Sequence, residues 1–210
     1  MTRPRLIFVN RVYWPATAAT AQLLTDLAES LAARGWPVHV ICAGQASGAH
    51  QGVIIHRTGA DHQLGGLCSR VRRYSDFNRR AEQQLATLAG PNDIVVLMTD
   101  PPLLGAHLTD LALRRGARVI HWIQDIYPEI ITAHLGQLTT WPLWPWRLKR
   151  NAAWQAAQGS VTLSASMVAT IAAAAPTIAP AIIPNWAPRE LQVPPAAEAI
   201  ATCRAKWGLA

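Results

Sequence analysis

Lysine is almost missing from this 210-residue chain: Lys149 and Lys206 are the only two, and every other basic residue is arginine. Cysteine is scarce. Cys42, Cys68 and Cys203 are odd in number, far apart and outside any C-x-x-C or Cys/His spacing. That argues against a disulfide scaffold and a structural zinc site, and it fits a reducing compartment. Charged residues reach only 15%, below the usual quarter or so. No G-x-G-x-x-G follows the first apolar run, and no P-loop, H-E-x-x-H or G-x-S-x-G occurs. Their absence counts against a generic dinucleotide enzyme, a zinc hydrolase and a serine-hydrolase elbow. The apolar stretch Leu6–Val9 is far too short for a signal peptide. No charged residue lies between Arg150 and Arg189, but Pro176, Pro180 and Pro184 cut this stretch, and Ala, Ser and Thr dominate it. A membrane span is therefore not expected there.

What is present is a foldable, basic chain. Hydrophobic residues make up 50%, enough for a sizeable core, and the formal charge is +7 with a pI near 10.2. That balance favours phosphates, anionic lipid or nucleic acid without choosing among them. No recognised nucleic-acid motif accompanies the arginines, so nucleic acid is not an expected partner.

Short apolar runs alternate with helical patterns along the chain. Arg5–Asn10, Pro37–Ala43, Gly52–Arg57, Asp93–Met98, Ala117–Ile123, Ser160–Leu163 and Ala181–Ile183 read as strands. Leu23, Leu27 and Leu31 recur at helical spacing up to Gly35, a natural cap. After a polar loop from Gln63, an amphipathic helix carries Arg70, Arg72, Arg73, Arg79 and Arg80. Further helices are expected before Gly116, after Pro128, from about Trp146 to Gln158 and over Ala165–Ala175. The alternation predicts an α/β domain: a Rossmann-like, mostly parallel sheet with helices on both faces. In such sheets ligands bind beyond the strands' carboxyl ends. Segments 10–20, 99–103, 124–129 and 164–166 are thus the places to search. Pro184-Asn185-Trp186 opens an irregular linker, and a short helix near Ala196–Trp207 follows. We divide the chain into a domain over 1–183 and a linker plus helix over 184–210.

Several residues invite a functional and a plain reading together. The small residues Ala16–Ala21 let backbone N–H groups approach a phosphate or sugar, or simply let helix pack on sheet. Asp125 follows a strand end. It suits contact with a substrate hydroxyl or an N-cap role, with Pro128 in the first turn and Glu129 at the helix's positive end. Asp100, before Pro101-Pro102, suits a turn or cap more than a site. His39 and His121 sit within strands and read as core or sheet residues. Ser164 and Ser166 read first as a helix cap. Trp141, Trp144 and Trp146, beside Arg147, Lys149 and Arg150, are the most unusual local composition. Tryptophan favours membrane boundaries and the cations suit anionic headgroups; the alternative is a loop packed on protein.

Taken in order, Phe8–Pro15, Ala18–Ala28, Leu31–Gly35, Thr99–Pro102, Trp122–Glu129, Ile183–Trp186 and Lys206–Leu209 resemble bacterial family-four glycosyltransferases. The similarity is to the subgroup that builds capsule, colanic-acid and O-antigen repeat units, and it covers nearly the whole chain. The resemblance implies the amino-terminal half of a GT-B fold, two Rossmann-like domains facing each other across a cleft. This half would hold a lipid-linked or saccharide acceptor, and a carboxy-terminal domain beyond residue 210 would hold the nucleotide-sugar. No further cofactor and no metal is expected, and no Asp-x-Asp motif is present. By the same resemblance Ala18, Ala19, Thr20, Thr99, Asp100, Gln124 and Tyr127 would bind acceptor, and Asp125 is the candidate catalytic residue. Retaining transfer in this family is usually seen as a front-face reaction in which the departing phosphate takes the acceptor proton, so Asp125 need not be a base. The expected location is the cytoplasm, peripheral on the inner face of the plasma membrane. As a lone chain it is expected to be inactive. The alternative is a non-catalytic, membrane-recruiting subunit of a split two-chain glycosyltransferase.

Overall fold

The computed structural model describes residues 3–59, 66–136, 141–187 and 194–209. The start of the expected polar loop at Gln63, the side chain of Cys68 and Arg189 lie outside the described residues. Eight strands form one sheet: β1 (Leu6–Val9), β2 (Val38–Cys42), β3 (Gly48–His50), β4 (Val53–Arg57), β5 (Ile94–Leu97), β6 (Arg118–Trp122), β7 (Gly159–Thr162) and β8 (Ala181–Ile182). Their spatial order is β3-β4-β2-β1-β5-β6-β7-β8. Every pairing is parallel except β3 with β4. The helices described are α1 (Ala19–Ala33), α2 (Leu67–Leu88), α3 (Leu104–Arg114), α4 (Glu129–Leu135), α5 (Trp144–Ala156), α6 (Ala165–Ala174) and α7 (Ala197–Lys206).

The strand interiors follow from their composition. Residues 6–9 are buried on both faces, as a central parallel strand must be. Leu6 and Phe8 join the α1 side with Leu23, Leu24 and Ala28; Ile7 and Val9 join the α2–α3 side with Phe77, Leu85, Leu104 and Leu108. Each such leucine contributes about 1.5–3 kcal/mol by leaving water. A third cluster joins Ile123 and Ile126 to Trp154 of α5 and Ile171 of α6. Gly35 closes α1 as its sequence position suggests. At φ +78°, its N–H donates to the Ala32 carbonyl and that of Trp36 donates to Leu31, the arrangement for which glycine is favoured. Ser164 caps α6, its hydroxyl accepting from the Met167 N–H at 3.4 Å.

One strand escaped the sequence reading. β3 is a three-residue, largely exposed edge segment (Gly-Ala-His) with no apolar run to mark it. Its turn residues Gln51 (φ 47°) and Gly52 (φ 80°) form the left-handed pair of a tight hairpin. That x-Gly signal was the available clue.

Three histidines lie in the parallel strands, His39 in β2, His56 in β4 and His121 in β6. His39 Nδ1 lies 2.9 Å from His56 Nε2, the rings stacked, so one ring donates and the other accepts. His121 is 3% exposed and lies 3.1 Å from the Thr109 hydroxyl. A Cβ on Gly105 would come within 2.4 Å of His121, so glycine allows α3 to meet β6. Burial lowers all three histidines, His121 to about 4; His39 is further lowered by His56 and Arg5, against a small opposing effect of Asp93. Their folded values lie below the unfolded value near 6.5, so folding favours the neutral rings. Their contribution is complete above about pH 6.5 and is lost as pH falls through the folded values. Thermal unfolding scans are therefore expected to show Tm falling between about pH 6.5 and pH 4, with a shallower fall in His39→Gln. A Tm independent of pH over that interval would contradict this account.

Candidate functional site

Parallel strands all leave the sheet at one edge. The register aligns Val9 with Leu97 and Leu97 with His121, so the chain exits of β1, β5 and β6 lie side by side at this rim. The exit loops are tied together by backbone and guanidinium bonds. The Arg11 N–H donates to the Asp100 carbonyl at 2.7 Å. The Arg11 guanidinium grips the Asp100 carboxylate with two bonds of 3.0 Å and lies 5.4 Å from the Tyr74 ring centroid. Arg57 donates to the carbonyls of Ala43 and Trp14. Asp100 is thus engaged in a two-toothed ion pair that fastens the β5 exit to the β1 exit.

Asp125 stands differently. Its carboxylate has no hydrogen bond or ion pair among the described residues, and burial raises its pKa. It is not a helix cap: α4 begins at Glu129 with Pro128 as N-cap. With Thr99, Gly105, His121, Tyr127 and Arg150 it lines a cavity of about 30 Å³. That volume suits a single hydroxyl or water and is too small for a sugar ring. The Thr99 hydroxyl is buried there without a hydrogen-bond partner among the described residues. The Tyr127 phenol is also raised, first by burial and then by the Asp125 carboxylate, Tyr74 and Asp100. A half-buried carboxylate paired with no cation among the described residues is a poor structural element and a ready acceptor for a hydroxyl proton or hydrogen bond.

The remaining sequence candidates are dispersed. Ala18 is the N-cap of α1; Ala18 and Ala19 are exposed and Thr20 is half-buried, with no side-chain cap on the helix. Gln124 is 8% exposed and its Nε2 has no partner among the described residues. Thr99, Asp125 and Tyr127 share one cavity, Asp100 is fastened beside it, and Ala19 lines a different groove along α1. Among the described residues no three His, Cys, Asp or Glu side chains come together as metal ligands.

The expected membrane-contact set needs one correction. Arg150 is 4% exposed and points inward. Its guanidinium donates to the Tyr127 carbonyl at 2.6 Å, to the Glu129 carboxylate and to Asn151 Oδ1, and sits 4.3 Å from the Trp154 ring centroid. A buried charge is tolerated only with such partners, so Arg150 is unavailable to a headgroup. Arg147 is half-buried, 3.4 Å from Glu129. Trp141, Trp144, Trp146 and Lys149 are exposed, Trp141 at 89%. Because β6 and β7 run parallel, α5 must return from the strand exits, which puts its first turn at the same rim as Asp125. Among the described residues no helix is long and apolar enough to cross a membrane.

Sequence reasoning missed Arg150 as the brace of the 124–129 loop, because two arginines and a lysine among tryptophans look alike on paper. It also missed Arg11 and Tyr74, which lie 63 positions apart and meet only through the fold. Removing the brace is expected to be costly. In urea unfolding, Arg150→Ala should lose about 2–4 kcal/mol by orphaning charged and carbonyl partners, while Lys149→Ala should change stability by under about 0.5 kcal/mol. Equal small effects would contradict the inward placement.

The comparisons with known proteins agree with this architecture. The family description Glycosyltransferase Family 4 matches residues 20–190. Among solved structures, sucrose-phosphate synthase from Thermosynechococcus elongatus superposes with a TM-score of 0.71 at 15% identity, over 99% of this chain and 53% of that one. At that identity the likeness is one of fold, and this chain spans about half of that enzyme's length. No curated protein matches the sequence. The mostly parallel sheet is that of a GT-B glycosyltransferase domain, and the family match covers most of the residues: the chain belongs to glycosyltransferase family 4.

Proposed function

We propose that residues 1–183 form the acceptor-binding domain of a retaining glycosyltransferase of the type that builds capsule, colanic-acid and O-antigen repeat units. In this reading the enzyme moves a sugar from a nucleotide-sugar to a lipid-linked or polysaccharide acceptor at the inner face of the plasma membrane. Residues 184–210 lead to a domain that grips the nucleotide-sugar. The observation that carries the reading is Asp125, a half-buried carboxylate with no hydrogen bond or ion pair among the described residues, in a hydroxyl-sized cavity at the strand exits. There an acceptor hydroxyl donates to Asp125 while Tyr127 and Thr99 flank it. As the bond from the sugar's anomeric carbon to the diphosphate oxygen breaks, that carbon bonds the acceptor oxygen. The acceptor proton passes to the departing phosphate oxygen, with Asp125 orienting the hydroxyl. Such a site works mainly by positioning and by stabilising the leaving charge.

The exposed tryptophans at the same rim suit a lipid-linked acceptor. Trp141, Trp144 and Trp146 offer apolar faces beside Lys149, a composition fitted to a membrane boundary. They also favour the second reading, a membrane-recruiting subunit of a two-chain enzyme.

Two experiments test these readings. In the first, the purified 210-residue chain alone should give background transfer, and adding a matched donor-binding domain in trans should restore it. Asp125→Asn should then lower kcat about tenfold to a hundredfold, less than the 10²–10⁴ of a dedicated general base. Full activity of Asp125→Asn would favour the subunit reading, and substantial turnover by the chain alone would refute both. In the second, the chain should float with anionic liposomes, and the triple replacement of Trp141, Trp144 and Trp146 by Ser should leave it at the bottom of the gradient. Equal flotation of the two proteins would remove the membrane proposal.

A further inference from the structure

The other rim of the sheet, where the parallel strands enter, carries a groove remote from Asp125. The register sets Leu6 beside Ile94 and Ile94 beside Arg118, so the starts of β1, β5 and β6 stand side by side. Arg3, Arg5, Asn92, Asp93 and Arg118 line an open groove there of about 690 Å³, within the range usual for small-molecule sites. Helices α1, α2 and α3 end at the same rim, and arginines hold their last turns. Arg3 donates to the Arg34 carbonyl and lies 5.2 Å from the Trp36 ring centroid. Arg5 donates to the Leu88 carbonyl at 3.0 Å and forks onto Asp93 through Nε and Nη2. Arg115 donates to the Ala89 carbonyl at 3.1 Å. Arg118 differs from these three. It is exposed, and neither its guanidinium nor the Asn92 side-chain amide has a hydrogen-bond partner among the described residues. Nη1 of Arg5 is likewise unbonded among them, on a side chain 40% exposed.

The charges at this rim do not cancel. Among the described residues Asp93 is the one carboxylate lining the groove, and each of the three helix ends carries about half a negative charge. Set against the four guanidinium groups, they leave a net positive charge of about 1.5. That surplus sits on planar forks of N–H donors, the geometry that matches phosphate oxygens. Spacing narrows the ligand further. Strand β5 lies between β1 and β6, so Arg5 and Arg118 are rooted about 10 Å apart. Two guanidinium groups that far apart are shared more readily by two linked phosphates than by one. We propose that this groove binds a soluble, diphosphate-bearing anion, at the rim opposite Asp125 and independently of any acceptor there. The exposed tryptophan at the first turn of α5 stands at the Asp125 rim, so a chain resting on lipid through it turns this groove to solution.

The test uses the full 210-residue chain with ¹⁵N-labelled tryptophan, titrated with inorganic diphosphate. The indole N–H signal of Trp36, beside Arg3, should shift saturably, while that of Trp144, at the other rim, should stay. Read at Trp36, inorganic phosphate should bind about tenfold or more weaker. Arg118→Gln should weaken diphosphate about fivefold or more, and Arg72→Gln, which alters an exposed arginine of α2, should leave it unchanged. Should Arg118→Gln fail to fold, Asn92→Gly decides. It removes the amide at a backbone φ of 70° that glycine adopts freely, and it should weaken binding about twofold or more. Arg118→Gln should also float with anionic liposomes as the unaltered chain does. Four results would overturn the proposal: a Trp36 signal that stays still or moves together with Trp144, equal affinity for phosphate and diphosphate, Arg118→Gln binding no more weakly than Arg72→Gln, or loss of flotation in Arg118→Gln. The last would assign the groove to lipid phosphate instead.

Discussion

A sheet whose strands run parallel delivers all of its connections to the same edge, and here that edge is locked by arginine. Seven of the eight strands share a direction, so the exits after β1, β5 and β6 are neighbours by necessity. Neighbouring loops still need fixed shapes. Arg150 supplies one from within, holding the Tyr127 carbonyl and Glu129 from a buried position. Arg11 supplies another by clamping Asp100. Between these two fastened points the Asp125 carboxylate has no ion-pair partner among the described residues, which leaves it able to accept a hydrogen bond.

The preference for arginine over lysine follows the same logic. A planar guanidinium reaches several acceptors at fixed angles, which an ammonium cannot. Arg5 forks onto Asp93 while also bonding the Leu88 carbonyl, Arg80 bonds the Thr58 carbonyl, and Arg115 bonds that of Ala89. Part of the formal positive charge is thus tied into the fold. The groove along α1, between Trp14 and Trp186, has no cation in its lining although the pI is near 10.2, so that charge is unevenly spread.

Legibility in the sequence divided along physical lines. Strands β1, β2, β5 and β6 were visible because burial on both faces favours apolar runs, and β4 carries such a run although Ile54 faces solvent. Helix ends such as Gly35 were visible because their signals are local. β3 was not, since an exposed three-residue edge needs no hydrophobic pattern. Asp125 could be placed at a strand exit, but only the position of Pro128 as N-cap separated a cap from a free carboxylate. Arg150 and Lys149 are adjacent and similar in type; helical rotation turns one inward and the other out, and no composition argument carries that information. The groove of Trp14 and Trp186 joins residues 172 positions apart, a distance across which a linear reading has no purchase.

The account turns on where the reacting hydroxyl of the acceptor rests. A crystal structure of the chain joined with a donor-binding domain and a lipid-linked acceptor analogue measures this directly. The account predicts that hydroxyl within about 2.6–3.2 Å of an Asp125 oxygen, with Arg150 still bonded to the Tyr127 carbonyl. A hydroxyl seated elsewhere along the rim, with the Asp125 carboxylate turned onto an arginine, would contradict it.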